Sequence, residues 1–311
     1  MRFLGGGTIP HTHTIRKTTR HLSAIHRAQM SELYKSQSVA DCTVLITGAT
    51  AGIGEAIAWR FAEAGAKLII CGRRTERLEA LSAALVAKYP SLTKPHCATL
   101  DVQQLDKLQA LPSSLPSEFA SIDILVNNAG LALGTEPVWS TSIADVQQMI
   151  GTNVTALIAL TTAVLPGMRA RGKGHVINIS SIAGHEAYAG GSVYCASKFA
   201  VSAYTTAARH DLVETPIRVT QISPAAVNTE FSTVRFGAGS GASSSSADPT
   251  AKADAVYANF VPLVAADIAD NVLYAATRPP HVTIADMVVY PTNQGGPKLI
   301  ARVGESLGGP Q

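Results

Sequence analysis

The chain reads as an α/β protein, a single doubly wound domain on a mainly parallel, seven-stranded sheet. Two observations predict this. Short apolar, β-branched runs alternate with longer segments of helical periodicity, and alternating β and α units argue for a parallel sheet covered by helices on both faces. The alternation occupies roughly 250 residues, which bury a sizeable interior and fit one domain. Charged residues make up only 15% of the 311, a balance suited to a large buried fraction and a buried subunit interface.

Strands are expected near 43–46, 67–71, 96–99, 122–126, 174–180, 217–222 and 283–290, and helices near 53–64, 75–88, 139–166, 192–214 and 266–277. Val44-Leu45-Ile46 opens the sheet. In the helix that follows, Ile53, Ile57, Phe61 and Ala64 recur at steps of three and four, and Gly65 stops it. Leu68-Ile69-Ile70-Cys71 supplies the second strand. Val154–Met168 is apolar but holds Thr155, Thr161, Thr162 and Pro166. It falls short of the ~18 residues a span needs, so a packed helix is expected rather than a membrane segment.

The four cysteines, Cys42, Cys71, Cys97 and Cys195, form no CxxC pair and no metal-ligand spacing with histidine. They read as reduced structural residues, which fits an intracellular compartment, and no metal site is expected. A net charge of +3 without a basic cluster in the core gives no case for nucleic acid. Residues 1–38 differ: Arg2, Arg16, Lys17, Arg20 and Arg27 precede the first acid, Glu32. Three readings of this basic extension stay open. Residues 1–29 are a mitochondrial targeting segment, the stretch is a disordered tail, or it is translated sequence upstream of a start at Met30. Without a targeting segment the expected location is cytoplasmic.

Between the first strand and its helix lies Thr47-Gly48-Ala49-Thr50-Ala51-Gly52-Ile53-Gly54. Strand, glycine-rich turn, helix is the context a phosphate-binding turn needs. Gly48 allows the tight turn, Gly52 lets the backbone approach a pyrophosphate, and Gly54 lets helix and strand pack closely. The helix N-terminus adds free N–H groups and its dipole. A second pattern carries proton chemistry. Tyr194 and Lys198 stand one helical turn apart and share a face, with Ser181 thirteen residues before the tyrosine. A phenol with a pKa near ~10 is a poor acid or base at neutral pH. An ammonium ~4 Å away, at an effective dielectric of ~20, favours the phenolate by ~4 kcal/mol before desolvation is subtracted. That shift would let the phenol exchange a proton with an alcohol.

Four motifs in register now identify a resemblance: TGxxxGIG at Thr47 to Gly54, Asn-Asn-Ala-Gly at 127–130, Asn-Ile-Ser-Ser at 178–181 and YxxxK at 194–198. From Cys42 to Pro291 the chain resembles the short-chain dehydrogenase/reductase family. The resemblance implies a Rossmann-type fold with a nicotinamide dinucleotide held by Gly48, Thr50, Gly52, Ile53 and Gly54. Asp101 and Val102 would lie near its adenine, Asn127 and Ala129 along the ribose, and Pro224, Val227 and Thr229 beside the nicotinamide. It also implies four catalytic groups. Ser181 would hydrogen-bond the substrate oxygen, and Tyr194 would be general acid in reduction and general base in oxidation. Lys198 would lower the Tyr194 pKa and bind the nicotinamide ribose. Asn153 would hold a water relaying protons from Lys198 to solvent. A homo-oligomer, dimer or tetramer, is implied through four-helix packing of the 139–166 helix and the helix of Tyr194.

Members that bind NAD place an acid at the end of the second strand. Here that strand ends in Gly72-Arg73-Arg74, and Glu76 is set back in the next helix's first turn, where its charge suits the dipole. Two guanidiniums stand where a 2′-phosphate would lie, and the planar fork of arginine suits phosphate. NADP is therefore the expected cofactor.

In this family the segment after the sixth strand covers the site. That gives a lid at 225–262 within a domain spanning 39–295, a flexible Gly/Ser insertion at 237–250, and a C-terminal tail at 296–311. Glu230-Phe231-Ser232-x-Val234-Arg235-Phe236 and Ile284-Ala285-Asp286 with Pro291-Thr292-Asn293-Gln294 resemble the NADP-dependent 3-hydroxy acid dehydrogenases. That subgroup oxidises serine, allo-threonine and related 3-hydroxy acids and reduces small carbonyls. Arg235 is the only cation between Pro224 and Lys252, so it is expected to hold the substrate carboxylate. Anchoring the lid or touching cofactor phosphates is its alternative role. The expected function is hydride transfer between NADP and a 3-hydroxy acid or its carbonyl. A broad carbonyl reductase remains the alternative, and a non-catalytic NADP sensor a remote one.

Overall fold

The computed structural model describes residues 36–237 and 248–303. The expected basic extension lies outside the described residues up to 35, and so does 238–247 of the Gly/Ser insertion. The strands are β1 (Thr43–Thr47), β2 (Lys67–Gly72), β3 (His96–Thr99), β4 (Ile122–Asn127), β5 (Gly174–Ile179), β6 (Ile217–Pro224) and β7 (Asp286–Val289). They form one sheet in the order β3-β2-β1-β4-β5-β6-β7. Every neighbouring pair is parallel, so the sheet is wholly rather than mainly parallel. Each crossover carries the chain back across a face, which brings every strand in from the same edge. The order reverses between β1 and β4, and an open α/β sheet forms its ligand crevice there, at the carboxyl ends of the strands.

Nine α-helices are described: α1 (Gly52–Glu63), α2 (Thr75–Lys88), α3 (Leu105–Ser114), α4 (Ile143–Ile150), α5 (Ala156–Arg171), α6 (Ser192–Asp211), α7 (Glu230–Gly237), α8 (Pro249–Tyr257) and α9 (Ala265–Ala276). Both faces of the central strands are covered, which explains their unbroken apolar runs. Val44 and Ile46 face one core with Ile57, Phe61 and Val272, while Leu45 faces the other with Leu125, Leu160 and Met168. This is strand alternation read out as two separate cores.

The single helix expected at 139–166 is broken. A 3₁₀ turn at Val138–Ser140 precedes α4, and a π-helical turn at Gly151–Thr155 separates α4 from α5. The helical run Ile143–Arg171 has 29 residues and is long and apolar enough to cross a membrane. Its length alone therefore decides nothing. Its packing does, because Ala156, Leu160, Val164 and Met168 are buried in the core under the sheet.

Three helices escape the pattern reading. α3 carries Pro112 in its interior, which breaks a helix signal, and α7 and α8 are too short to show a period. α8 begins inside the stretch expected to be a flexible insertion. The Asp248 side chain accepts a hydrogen bond from the Thr250 N–H and Pro249 takes the first turn, so 248–250 are a capped helix start. β7 is shorter than expected and starts at Asp286. Past the expected boundary at 295, Arg302 donates to the carbonyls of Val256 and Ala258, which ties this part of the tail to the lid.

Candidate active site

The carboxyl ends of the strands open into a cleft of about 660 Å³. At one end stands the glycine turn. Gly48 has φ +67°, and a side chain there would meet Asn128 Nδ2 at 2.9 Å. Gly52 has φ +56°, with Thr229 3.2 Å from where a Cβ would be. Gly54 packs directly on the Gly48 carbonyl, the close helix–strand approach expected of it. Thr47 Oγ1 accepts from the N–H groups of Asn128 and Ala129, and Asn128 Nδ2 donates to the carbonyl of Thr47 at 2.9 Å, which locks the turn to β4. α1 starts after Ala51 with no side-chain cap, so its first N–H groups are left for an anion. Arg73, Arg74, Asp101 and Val102 line the same end. Arg74 is fixed by Thr50 Oγ1, which accepts from Nε at 3.1 Å and Nη2 at 2.9 Å. An uncapped helix start, a glycine cradle and a guanidinium pair fit a dinucleotide that carries an extra phosphate.

Gly48, Thr50, Gly52, Ile53, Ala129, Pro224, Val227 and Thr229 all line the cleft as expected. Asn127 does not. Its Nδ2 donates to Thr161 Oγ1 and Asn178 Oδ1, both at 2.9 Å, and the side chain is buried between β4, β5 and α5. Strand alternation turns Asn127 inward, and its neighbour Asn128 faces the turn instead.

At the other end Ser181, Tyr194 and Lys198 line the cleft. Ser181 Oγ accepts from the Ala183 N–H at 3.1 Å and donates to the Pro224 carbonyl at 3.4 Å. Asn153 is placed by the π-helical turn, a common device at functional sites. Its Oδ1 accepts from the Leu131 N–H, and its Nδ2 donates to the Leu131 carbonyl and to Ser197 Oγ, so it clasps the loop after β4 to α6. Lys198 is buried, and its Nζ donates to the Ile179 carbonyl at 2.9 Å. Burial lowers its pKa to about 8.

The electrostatics around Tyr194 involve more groups than the Tyr194–Lys198 pair. Burial, with Tyr188 adding to it, raises the Tyr194 phenol above its ordinary range; Ser181 and Arg235 pull it down. Lys198, 5.8 Å from the tyrosine ring centroid, does not add to this, because burial lowers its own pKa to about 8 and it loses its charge before the phenol ionises. The cation that eases ionisation of Tyr194 is Arg235, also 5.8 Å from that centroid. Arg235 donates to the Gly134 carbonyl, Tyr188 Oη and the Gly190 carbonyl. It thus anchors the lid, while Nη1 and Nη2 each keep a second N–H. Phe231 packs on Tyr194 with centroids 5.7 Å apart. Tyr188, Tyr257, Gln294, Pro297 and Ile300 also line the cleft. Gln294 ends the Pro291–Gln294 signature; the other four belong to no motif, and only the fold brings them there.

The short chain dehydrogenase family profile matches residues 42–237. The chain belongs to the short-chain dehydrogenase family. Its relatives agree in kind. The NADP-dependent 3-hydroxy acid dehydrogenase of Schizosaccharomyces pombe is 44% identical over 261 residues, 84% of this chain and 96% of that protein. Sulfoacetaldehyde reductase 2 of Chromohalobacter salexigens is 42% identical over 252 residues, 81% of this chain and 94% of that protein. Among solved structures, the closed form of a serine dehydrogenase complexed with NADP+ superimposes with a TM-score of 0.75 at 43% identity, covering 83% of this chain and 98% of that one.

Proposed function

We propose that this short-chain dehydrogenase interconverts small 3-hydroxy acids and their carbonyls. It is an NADP-dependent oxidoreductase acting on CH–OH groups, in keeping with its family and the relatives just described. The observation that carries the substrate class is Arg235. It sets a fixed cation over the Tyr194 ring, at the place where a proton must be exchanged. When bound, the nicotinamide supplies or accepts the hydride. Gly48, Thr50, Gly52 and Ile53 would hold the pyrophosphate, and Arg73 and Arg74 the 2′-phosphate. Ser181 Oγ would hydrogen-bond the substrate oxygen and Tyr194 Oη would give or take its proton. Lys198, titrating near neutrality, would bind ribose and pass protons on, with Asn153 fixing the backbone around that path.

A substrate anion beside Tyr194 needs a partner, because an unpaired buried carboxylate costs several kcal/mol. The two spare N–H groups of Arg235 supply one, and a sulfonate would be held in the same way. In Arg235→Met, kcat/KM for L-allo-threonine or 3-hydroxypropionate should fall by ~2–4 kcal/mol, roughly 30- to 1000-fold. An uncharged alcohol of similar size should hardly respond. If both substrates decline together, Arg235 only anchors the lid, and the broad carbonyl reductase becomes the better reading.

A homo-oligomer fits the exposed Ile143 on α4 and Phe199 on α6, the helices of the expected subunit contact. Sedimentation as a monomer at micromolar concentration would refute it. A reducing, cytoplasmic setting agrees with the four free thiols.

A further inference from the structure

The lid sets a carboxylate on the guanidiniums assigned to the cofactor. Glu230, the first residue of α7, places Oε2 3.0 Å from Arg74 Nη1 and Oε1 2.7 Å from Arg77 Nη1. Each carboxylate oxygen is therefore taken by a different arginine. Glu230, Arg73, Arg74 and Thr50 all line the cleft, and the preceding Thr229 lies against Gly52 of the phosphate-binding turn. Hydrogen bonds from Arg77 and Arg74 hold the Glu230 carboxyl below its ordinary range, so it is ionised at neutral pH. Arg73 has a weaker partner, Asp101 at 3.8 Å. A carboxylate and a phosphate monoester make the same demand on an arginine fork.

We propose that Glu230 is a specificity-tuning residue that competes with the 2′-phosphate of the cofactor for Arg74. The inference rests on the reading that Arg73 and Arg74 receive that phosphate. With no phosphate there, the Glu230 pair fastens the first turn of α7 to the rim of the cleft. The 2′-phosphate must take Arg74 over, leaving Arg77 as the partner of Glu230. A dinucleotide without that phosphate makes no such demand and leaves the pair intact. Glu230 therefore weakens NADP binding selectively, and it ties occupancy of the phosphate site to the helix that carries Phe231 and Arg235. Both partners are half-exposed, so the competition is modest in size.

Isothermal titration of the full chain with 2′-AMP, 5′-AMP, NADP and NAD tests this directly. Glu230→Gln keeps the side-chain shape and removes the charge. It should bind 2′-AMP and NADP about 3- to 10-fold more tightly, with 5′-AMP and NAD within about two-fold of wild type. Glu230→Ala should shift affinities in the same direction, which separates loss of charge from any new amide contact. Unchanged or weaker NADP binding in both variants, or equal tightening for NAD, overturns the proposal. Arg74→Ala tests the ground beneath it. A wild-type NADP-to-NAD affinity ratio in that variant would remove the 2′-phosphate reading itself, whatever Glu230→Gln does.

Discussion

Tyr194→Phe should lower kcat by at least ~10²-fold, the usual contribution of a positioned acid–base group, while NADPH binding persists. The substitution keeps the ring that packs on Phe231 and lies under Arg235, and it removes only the hydroxyl. Burial holds the phenol above its ordinary range, so at neutral pH the group is a proton donor, ready for carbonyl reduction. Alcohol oxidation needs the opposite state, and the phenolate fraction grows as pH rises toward the raised value. The oxidative rate of the wild type should therefore climb through the alkaline range, while the reductive rate should hold until pH approaches the raised value. Steady-state kinetics in both directions, with NADPH fluorescence titration, separate these effects. Near-normal turnover by Tyr194→Phe, with cofactor binding intact, would refute the role of the tyrosine.

The legible parts of this protein are those encoded by neighbours in sequence. The glycine turn, the strand before it and the helix after it form one continuous segment, so their fit to a pyrophosphate follows from spacing alone. Tyr194 and Lys198 likewise share a helix face whatever the rest of the chain does. What stayed hidden depends on contacts across the fold. Which of Asn127 and Asn128 faces the cofactor turn is decided by the phase of β4 where it ends, and a motif carries no phase. The π-helical turn that aims Asn153 leaves no mark on hydrophobic periodicity. The pairing of Arg74 with Glu230 joins positions 156 residues apart. The charge state of the lysine–tyrosine pair was hidden for a related reason. Sequence supplies the two groups, but burial and the Ile179 carbonyl settle their charges, and both are properties of the folded core.

Lys198→Met is expected to stabilise the cofactor-free protein while removing at least ~10²-fold of its activity. The ammonium of Lys198 is buried, donates to the Ile179 carbonyl, and has its pKa lowered by burial from 10.5 to about 8. Between those two values the unfolded chain binds more protons than the folded one, so wild-type stability should rise with pH across that window. Below it the folded protein carries a charge that its surroundings disfavour. Methionine fills similar volume without that charge, at the cost of leaving the Ile179 carbonyl without its donor. The net gain at pH 7 should be on the order of 1–3 kcal/mol, or roughly 2–4 °C in Tm for each kcal/mol. It should shrink as pH rises above 8, where the wild-type lysine becomes neutral in the fold. Thermal unfolding of both proteins from pH 6.5 to 10 measures the difference directly. A variant that is less stable at pH 7, or whose advantage does not change with pH, would show that the buried ammonium is not strained in the empty site. A stabilised variant with full activity would instead free Lys198 from the proton path. The expected combination, greater stability with lost turnover, marks a charge that the fold tolerates because the bound ribose and the proton path need it.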